Sequence, residues 1–170
     1  MSSVLRIAGI VNDSIVDGPG MRIAVFTQGC HRHCPGCHNQ HTWDPNGGKD
    51  CSIDEILQRV DSNPLLSGIT ITGGEPFEQP EPLIELVKEI KKRQLEVAIF
   101  SGGTWDELTK DRSSKQFELL SLCDVLVDGA FREDLKSLEL KFKGSSNQNT
   151  IDIRKSLAAG EVVLMQDGRW

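Results

Sequence analysis

A rhythm of short, β-branched runs halted by glycine constrains this chain more than any other feature of its sequence. Arg22–Thr27 (RIAVFT), residues 69–72 (ITIT), Glu96–Phe100 (EVAIF) and residues 124–127 (DVLV) each have the length and composition of a strand. Gly73-Gly74, Ser101-Gly102-Gly103 and Asp128-Gly129 close the last three. Between them lie stretches with helical spacing. Ser52 and Glu55 form a capping-box pattern around Ile53, Ile56, Leu57 and Val60. Leu83, Leu86, Val87 and Ile90 follow Pro80 and Pro82, which a first helical turn tolerates. Thr104 and Glu107 mark a further capped start. Strands alternating with helices predict an α/β fold of right-handed β–α–β units around a mainly parallel sheet. Beyond residue 137 the pattern changes. Leu138, Leu140 and Phe142 alternate with charged residues, a polar stretch covers 144–149, and 162–165 (VVLM) reads as a last strand. No repeat, linker or low-complexity tract interrupts the 170 residues, which read as a single domain with a variable tail.

The strand ends predict where chemistry occurs. Gly73-Gly74-Glu75-Pro76, Ser101-Gly102-Gly103, Asp128-Gly129 and a cysteine-rich segment after Thr27 all follow the carboxyl ends of strands. In parallel α/β folds ligands bind at that edge, so the four segments predict one shared site. Three of the five cysteines and all four histidines lie between Cys30 and His41. Cys30, Cys34 and Cys37 form a C-x3-C-x2-C pattern, close enough along a loop to converge on one metal centre. Spacing leaves the metal open between a structural zinc, which takes S and N donors, and an iron–sulfur cluster. A [4Fe–4S] cluster normally takes four thiolates; three would leave one iron free for an outside ligand, such as the amine and carboxylate of an amino acid. A polar residue in such a loop is more often solvated than ligating, so the histidines are not counted as ligands. Cys51 and Cys123 stand apart and read as small buried hydrophobes.

Several classes are excluded. With 19 basic and 25 acidic residues, the net charge of −6 argues against nucleic acid and against an anionic membrane surface. No stretch approaches a membrane span of about 18 apolar residues. The start MSSVLRIAGIVND lacks the basic-then-apolar order of a signal peptide, and the chain reads as cytoplasmic. Tyrosine is absent, which excludes any mechanism needing a phenol.

The segment from Asp17-Gly18-Pro19-Gly20 to Trp43-Asp44 resembles the radical S-adenosylmethionine enzymes, and among them the glycyl-radical-enzyme activases. C-x3-C-x2-C is that superfamily's cluster motif, and Gly73-Gly74-Glu75-Pro76 matches its S-adenosylmethionine motif. Phe142-Lys143-Gly144-Ser145-Ser146-Asn147-Gln148 resembles the branch that activates anaerobic ribonucleoside-triphosphate reductase. The likeness runs from about Gly9 to Gln148, with two departures. Gly36 stands where many members carry an aromatic residue, and Lys143 where arginine is expected, which keeps the charge but loses the bidentate fork.

The resemblance implies a partial, open (β/α) barrel. It implies a [4Fe–4S] cluster on Cys30, Cys34 and Cys37, with S-adenosyl-L-methionine chelating the open iron. Gly36, Cys37 and His38 would line its nucleoside side. Gly73 and Gly74 would admit its methionine moiety, and Glu75 would receive the ammonium or fix that loop. Ser101 and Asp128 would contact the cofactor from neighbouring strand ends, and the loop of Asp17 to Gly20 would lie near the incoming substrate. One electron from the cluster would break a carbon–sulfur bond, giving methionine and a 5′-deoxyadenosyl radical that takes hydrogen from a backbone glycine. The implied partners are the large subunit of anaerobic ribonucleoside-triphosphate reductase and a reducing protein such as flavodoxin or ferredoxin. The rival readings are an activase of another glycyl radical enzyme, such as pyruvate formate-lyase, and a non-catalytic, zinc-stabilised binding module.

Overall fold

The computed structural model describes residues 3–170; Met1 and Ser2, which open the stretch weighed above as a leader, lie outside them. Seven strands form one sheet in the order β3-β1-β2-β4-β5-β6-β7. They are β1 (Val4–Ser14), β2 (Arg22–Thr27), β3 (Lys49–Ser52), β4 (Gly68–Gly73), β5 (Glu96–Phe100), β6 (Val125–Asp128) and β7 (Asn149–Asp152). β2, β4, β5 and β6 pair in parallel. β1 runs antiparallel to β2 and β3, and β7 antiparallel to β6. The sheet is therefore mixed, with five of its seven strands in one direction.

The helices are α1 (Ile53–Asp61), α2 (Pro80–Lys92), α3 (Trp105–Thr109), α4 (Lys115–Leu122) and α5 (Ile153–Ala159). Contacts run from α1 to α2, α2 to α4 and α4 to α5, with α3 against α4. The predicted caps form: Ser52 Oγ accepts from Glu55 N, and Thr104 Oγ1 from Glu107 N.

Alternation along the central strands makes the two faces chemically different. Ile23, Val25, Ile69, Ile71, Val97, Ile99 and Leu126 join the helices in the main apolar core. The residues between them are smaller or polar and still buried: Ala24, Thr70, Ala98 and, at the foot of β2, Arg22. Arg22 is fully buried. Its guanidinium donates to Thr70 Oγ1 (2.8 Å), Glu96 Oε1 (3.0 Å), Pro19 O (3.1 Å) and Ile69 O (3.2 Å), beneath the Trp170 ring at 5.4 Å. Thr70 Oγ1 in turn donates to Asp17 O (2.8 Å). These bonds fix the Asp17–Gly20 loop at the start of β2, the opposite end of that strand from the cysteines. None of its four residues lines the cavity described below.

The expected last strand at 162–165 is not one. Val163 O accepts from Asp152 N (2.9 Å), Met165 N donates to Thr150 O (2.8 Å), and a single bridge joins Ile151 to Leu164. Val162 and Leu164 remain largely exposed, so the apolar run has no face to bury. The edge strand is β7, which begins where a polar stretch was expected. The alternation at Leu138, Leu140 and Phe142 forms no strand either; Leu138 is 94% exposed.

Candidate active site at the strand ends

The loop after β2 leaves the sheet at Gly29 and returns at Trp43. Its base is closed by Gly29 N to Thr42 O (2.6 Å) and Cys30 N to Trp43 O (3.1 Å). Gln28 Nε2 adds bonds to His41 O (3.0 Å) and Asp44 O (2.7 Å). Within the loop Cys37 N donates to Cys34 O (3.1 Å), and Asn39 N to the Cys37 sulfur (3.4 Å). All five cysteines are free thiols. Cys30, Cys34 and Cys37 are half-buried and line one cavity, whose other walls include Thr72, Gly73, Gly74 and Glu75 at the end of β4 and in the turn beyond it, and Phe100, Ser101 and Gly102 at the end of β5 and beyond it. Gly129, Phe131, Gly144 and Gln148 close the remaining side. The predicted convergence of strand-end segments on one site is thus the observed geometry.

Among the described residues, no three His, Cys, Asp or Glu side chains gather as ligands of a single metal ion. A cubane cluster asks less of the loop, because each thiolate takes a different iron corner. Three sulfurs facing one cavity, with no fourth cysteine there, fit a cluster held at three of its irons. Three of the four histidines have partners of their own. His31 Nδ1 lies 2.6 Å from Glu78 Oε1, His33 stacks on Trp43 (4.3 Å between centroids, 8° between planes), and His38 meets Phe131 edge-on at 5.7 Å. Burial pushes the Cys30 thiol up, the Glu75 carboxylate adds to this, and a backbone hydrogen bond from Arg32 opposes it. A cation at this position would favour the thiolate.

The glycines after β4 are explained by backbone packing. A Cβ on Gly73 would lie 2.7 Å from Phe26 C and from Thr27 O. One on Gly74 would lie 2.9 Å from Gly29 C and closer still to its oxygen. Gly74 N donates to Thr27 O (2.9 Å) and Glu75 N to Gly29 O (2.8 Å). These residues thus dock the β4 loop onto the root of the cysteine loop while one side of them faces the cavity.

Glu75 is buried, at 3% exposure, and heavily bonded. Oε1 accepts from Gly102 N (2.8 Å), Arg32 Nε (3.0 Å) and Ser101 Oγ (3.0 Å); Oε2 accepts from Phe77 N (3.2 Å) and shares the Ser101 hydroxyl (3.0 Å). Of the two roles the resemblance offered Glu75, the structure displays loop fixation. Ser101 lines the cavity as part of this network, its oxygen also accepting from Gly103 N (2.9 Å). Asp128 does not line the cavity. It is buried, and its oxygens accept from Trp105 N (2.8 Å) and Asn149 N (3.2 Å), starting α3 and fixing β7. Gly36 also lies off the cavity wall; a Cβ there would meet the Glu133 carboxyl carbon at 2.7 Å. Cys37, His38, Gly73 and Gly74 are on it. Cys51 and Cys123 are buried away from it.

Sequence reading alone gave no role in the wall to Arg32 or Phe131, and it marked the tail as a segment that closes over the site or faces a partner. Arg32 reaches across from the cysteine loop, Phe131 lies under Gly144, and Gln148 staples the polar tail. Gln148 Oε1 accepts from Gly144 N (2.8 Å) and Ser145 N (3.2 Å), while its amide donates to Gly129 O (2.9 Å). Arg32 carries no sequence signal, since its partner lies 43 residues away. The tail had one, as the turn-prone stretch Gly144-Ser145-Ser146-Asn147-Gln148.

An α/β sheet with three thiols and two glycine-rich turns facing one strand-end cavity defines the class of cluster-binding α/β proteins. Residues 16–151 match the family model described as a 4Fe-4S single cluster domain, and the chain belongs to that family, within the radical S-adenosylmethionine activases. More particularly, it is similar to the anaerobic ribonucleoside-triphosphate reductase-activating protein of Escherichia coli (strain K12), with 35% identity over 143 residues, 79% of this chain and 90% of that protein. It is also similar to the pyruvate formate-lyase 1-activating enzyme of the same strain, with 30% identity over 164 residues, 93% of this chain and 64% of that one. The crystal structure of QueE from Escherichia coli shares the fold over 59% of this chain and 53% of that chain, with a TM-score of 0.50 at 19% identity. Among the described residues no helix is long and apolar enough to cross a membrane.

Proposed function

We propose that this chain is a single-domain, cytoplasmic activase of anaerobic ribonucleoside-triphosphate reductase, built on an open (β/α) barrel. The observation that carries the reading is the convergence of Cys30, Cys34 and Cys37 with the Gly73–Glu75 and Ser101–Gly102 turns on one cavity. The three cysteines hold a [4Fe–4S] cluster, which supplies the electron that splits S-adenosyl-L-methionine into methionine and a 5′-deoxyadenosyl radical able to take hydrogen from a reductase glycine. This chain's own residues bind, orient and shield. Gly73 and Gly74 present backbone to the methionine end. His38 and the Cys37 backbone form the nucleoside side, with Gly36 acting from behind through the turn it makes at positive φ (76°). Ser101 and Asp128 act through the loops they fix. Phe100, Phe131 and the stapled tail keep water from the cavity, which so reactive a radical requires. No side chain need act as acid or base, in keeping with the absence of tyrosine. A flavodoxin or ferredoxin supplies the electron.

The test is anaerobic reconstitution followed by electron paramagnetic resonance. About four iron and four sulfide per chain are expected, and a glycyl radical doublet when reduced protein, S-adenosylmethionine and the reductase are mixed. A doublet only with pyruvate formate-lyase would move the chain to that neighbouring branch. One zinc and no iron uptake would refute the reading.

A further inference from the structure

We infer that Arg32 is a positioning residue, which through its bond to Glu75 locks the cysteine loop to both cofactor-facing turns and so sets the seat of S-adenosylmethionine. The inference rests on the activase reading of the cavity and adds a residue to it.

Three segments distant in sequence meet at this pair. Arg32 belongs to the cysteine loop, Glu75 to the turn after β4, and Ser101 and Gly102 to the turn after β5. Arg32 Nε donates to Glu75 Oε1 (3.0 Å), and its Nη2 lies 3.6 Å from Glu107 Oε2 on α3. The arginine stem crosses the turn so closely that a Cβ on Gly102 would sit 2.8 Å from Nε, and one on Gly103 3.0 Å from Nη2. The pair is largely shielded, with Arg32 at 26% and Glu75 at 3% side-chain exposure, so the bond is charge-assisted and little screened. Arg32 is also the cation that Glu75 bonds. An ionised carboxylate has about four lone-pair sites, and Glu75 already receives Gly102 N, Phe77 N, the Ser101 hydroxyl and Arg32. No acceptor capacity is left for the N–H groups of a bound amino acid. An amine that chelates the open iron would then donate its hydrogens to backbone carbonyls of the turns, whose positions depend on the lock.

The test uses the reconstituted holoenzyme and reads S-adenosylmethionine affinity, cluster midpoint potential and iron content. Arg32→Met should keep its iron and raise the dissociation constant about tenfold, the expected size for a lost charge-assisted bond. It should also lower the potential, since a departing cation disfavours the added electron. Arg32→Lys separates charge from geometry: it should restore the potential but still bind several-fold more weakly, because the guanidinium fork is gone. Glu75→Gln should weaken binding too, and the double variant Arg32→Met/Glu75→Gln should bind no worse than the weaker single variant, since each already breaks the same link. Wild-type affinity in Arg32→Lys, or in Arg32→Met with its cluster retained, would overturn the inference, as would fully additive losses. If Arg32→Met does not take up iron, Arg32→Lys alone decides the matter. If the wild-type holoenzyme itself fails to bind S-adenosylmethionine, the activase reading falls and the lock's stated role falls with it.

Discussion

Gly74→Ala probes whether the β4 turn is a packing joint. The new Cβ would stand 2.9 Å from Gly29 C and 3.2 Å from Gly29 N, and nearer still to Gly29 O. Carbon atoms rest at about 3.5–4.0 Å, so one of the two backbones must move by about 1 Å. Neither is free to do so. Gly74 N and Glu75 N are both bonded across the joint, to Thr27 O and Gly29 O. Overpacking costs about 1–3 kcal/mol, and weakening two backbone bonds adds about 1 kcal/mol, giving roughly 3 kcal/mol in total. For a chain of this size that lowers the melting temperature by about 6–12 °C. Because Gly29 immediately precedes Cys30, the displacement also passes into the cysteine loop, and iron uptake should fall with stability. Scanning calorimetry of the metal-free protein and iron analysis after reconstitution check both. Gly9→Ala, where an added Cβ meets nothing within 4 Å, is the control and should change neither. A Gly74→Ala protein with the parental melting temperature and full iron would refute the reasoning.

Arg22→Met should destabilise by about 3–5 kcal/mol, since it removes one side of a largely buried ion pair with Glu96. At the far end of β2 from the cysteines, it should leave iron stoichiometry intact, and loss of the cluster would contradict that separation. Burial, helped by a hydrogen bond to the Glu55 carboxylate, pushes the Cys51 thiol up to about 11. A raised value means that thiolate is scarce below it, so alkylation of Cys51 in the folded, cluster-free protein should climb about tenfold per pH unit from pH 7 to 9; a plateau near pH 8.5, as for a free thiol, would count against it.

The parallel centre of the sheet was legible because β2, β4, β5 and β6 are short runs rich in β-branched residues with a glycine at or within two residues of their ends, and α1 and α2 carry clean helical spacing. The flanking strands were not. β1 holds Gly9 and the polar Asn12 and Asp13, and its pairing with β2 is interrupted by two register shifts, so the alternation begun by Leu5 and Ile7 stops at Gly9. β7 is polar at its start, while 162–165 has strand composition but meets the outer edge of β7 through a single bridge and leaves Val162 and Leu164 exposed. β-propensity describes a side chain's fit to a half-buried surface, and only the tertiary fold decides whether such a surface exists. The cavity was legible in its cysteines and glycines, since those residue types carry unusual chemistry or backbone freedom. Arg32 was not, because an arginine in a charged chain is ordinary until its carboxylate is found. Asp128 drew notice for following a strand, yet its oxygens bond Trp105 N and Asn149 N.

The tied base of the cysteine loop has an entropic consequence. Bonds from Gly29 to Thr42, Cys30 to Trp43 and Gln28 to His41 and Asp44 tie residues 29–43 into a closed ring without using the three thiols. Ring-closure cost grows only slowly with length, and here folding has already met it. The three thiols therefore stand at a high effective concentration towards one another. Capturing iron requires rearrangement within a tethered arc of chain, whereas a short peptide of the same C-x3-C-x2-C sequence would have to order its whole backbone at the moment of binding, and should hold the metal more weakly for that reason alone.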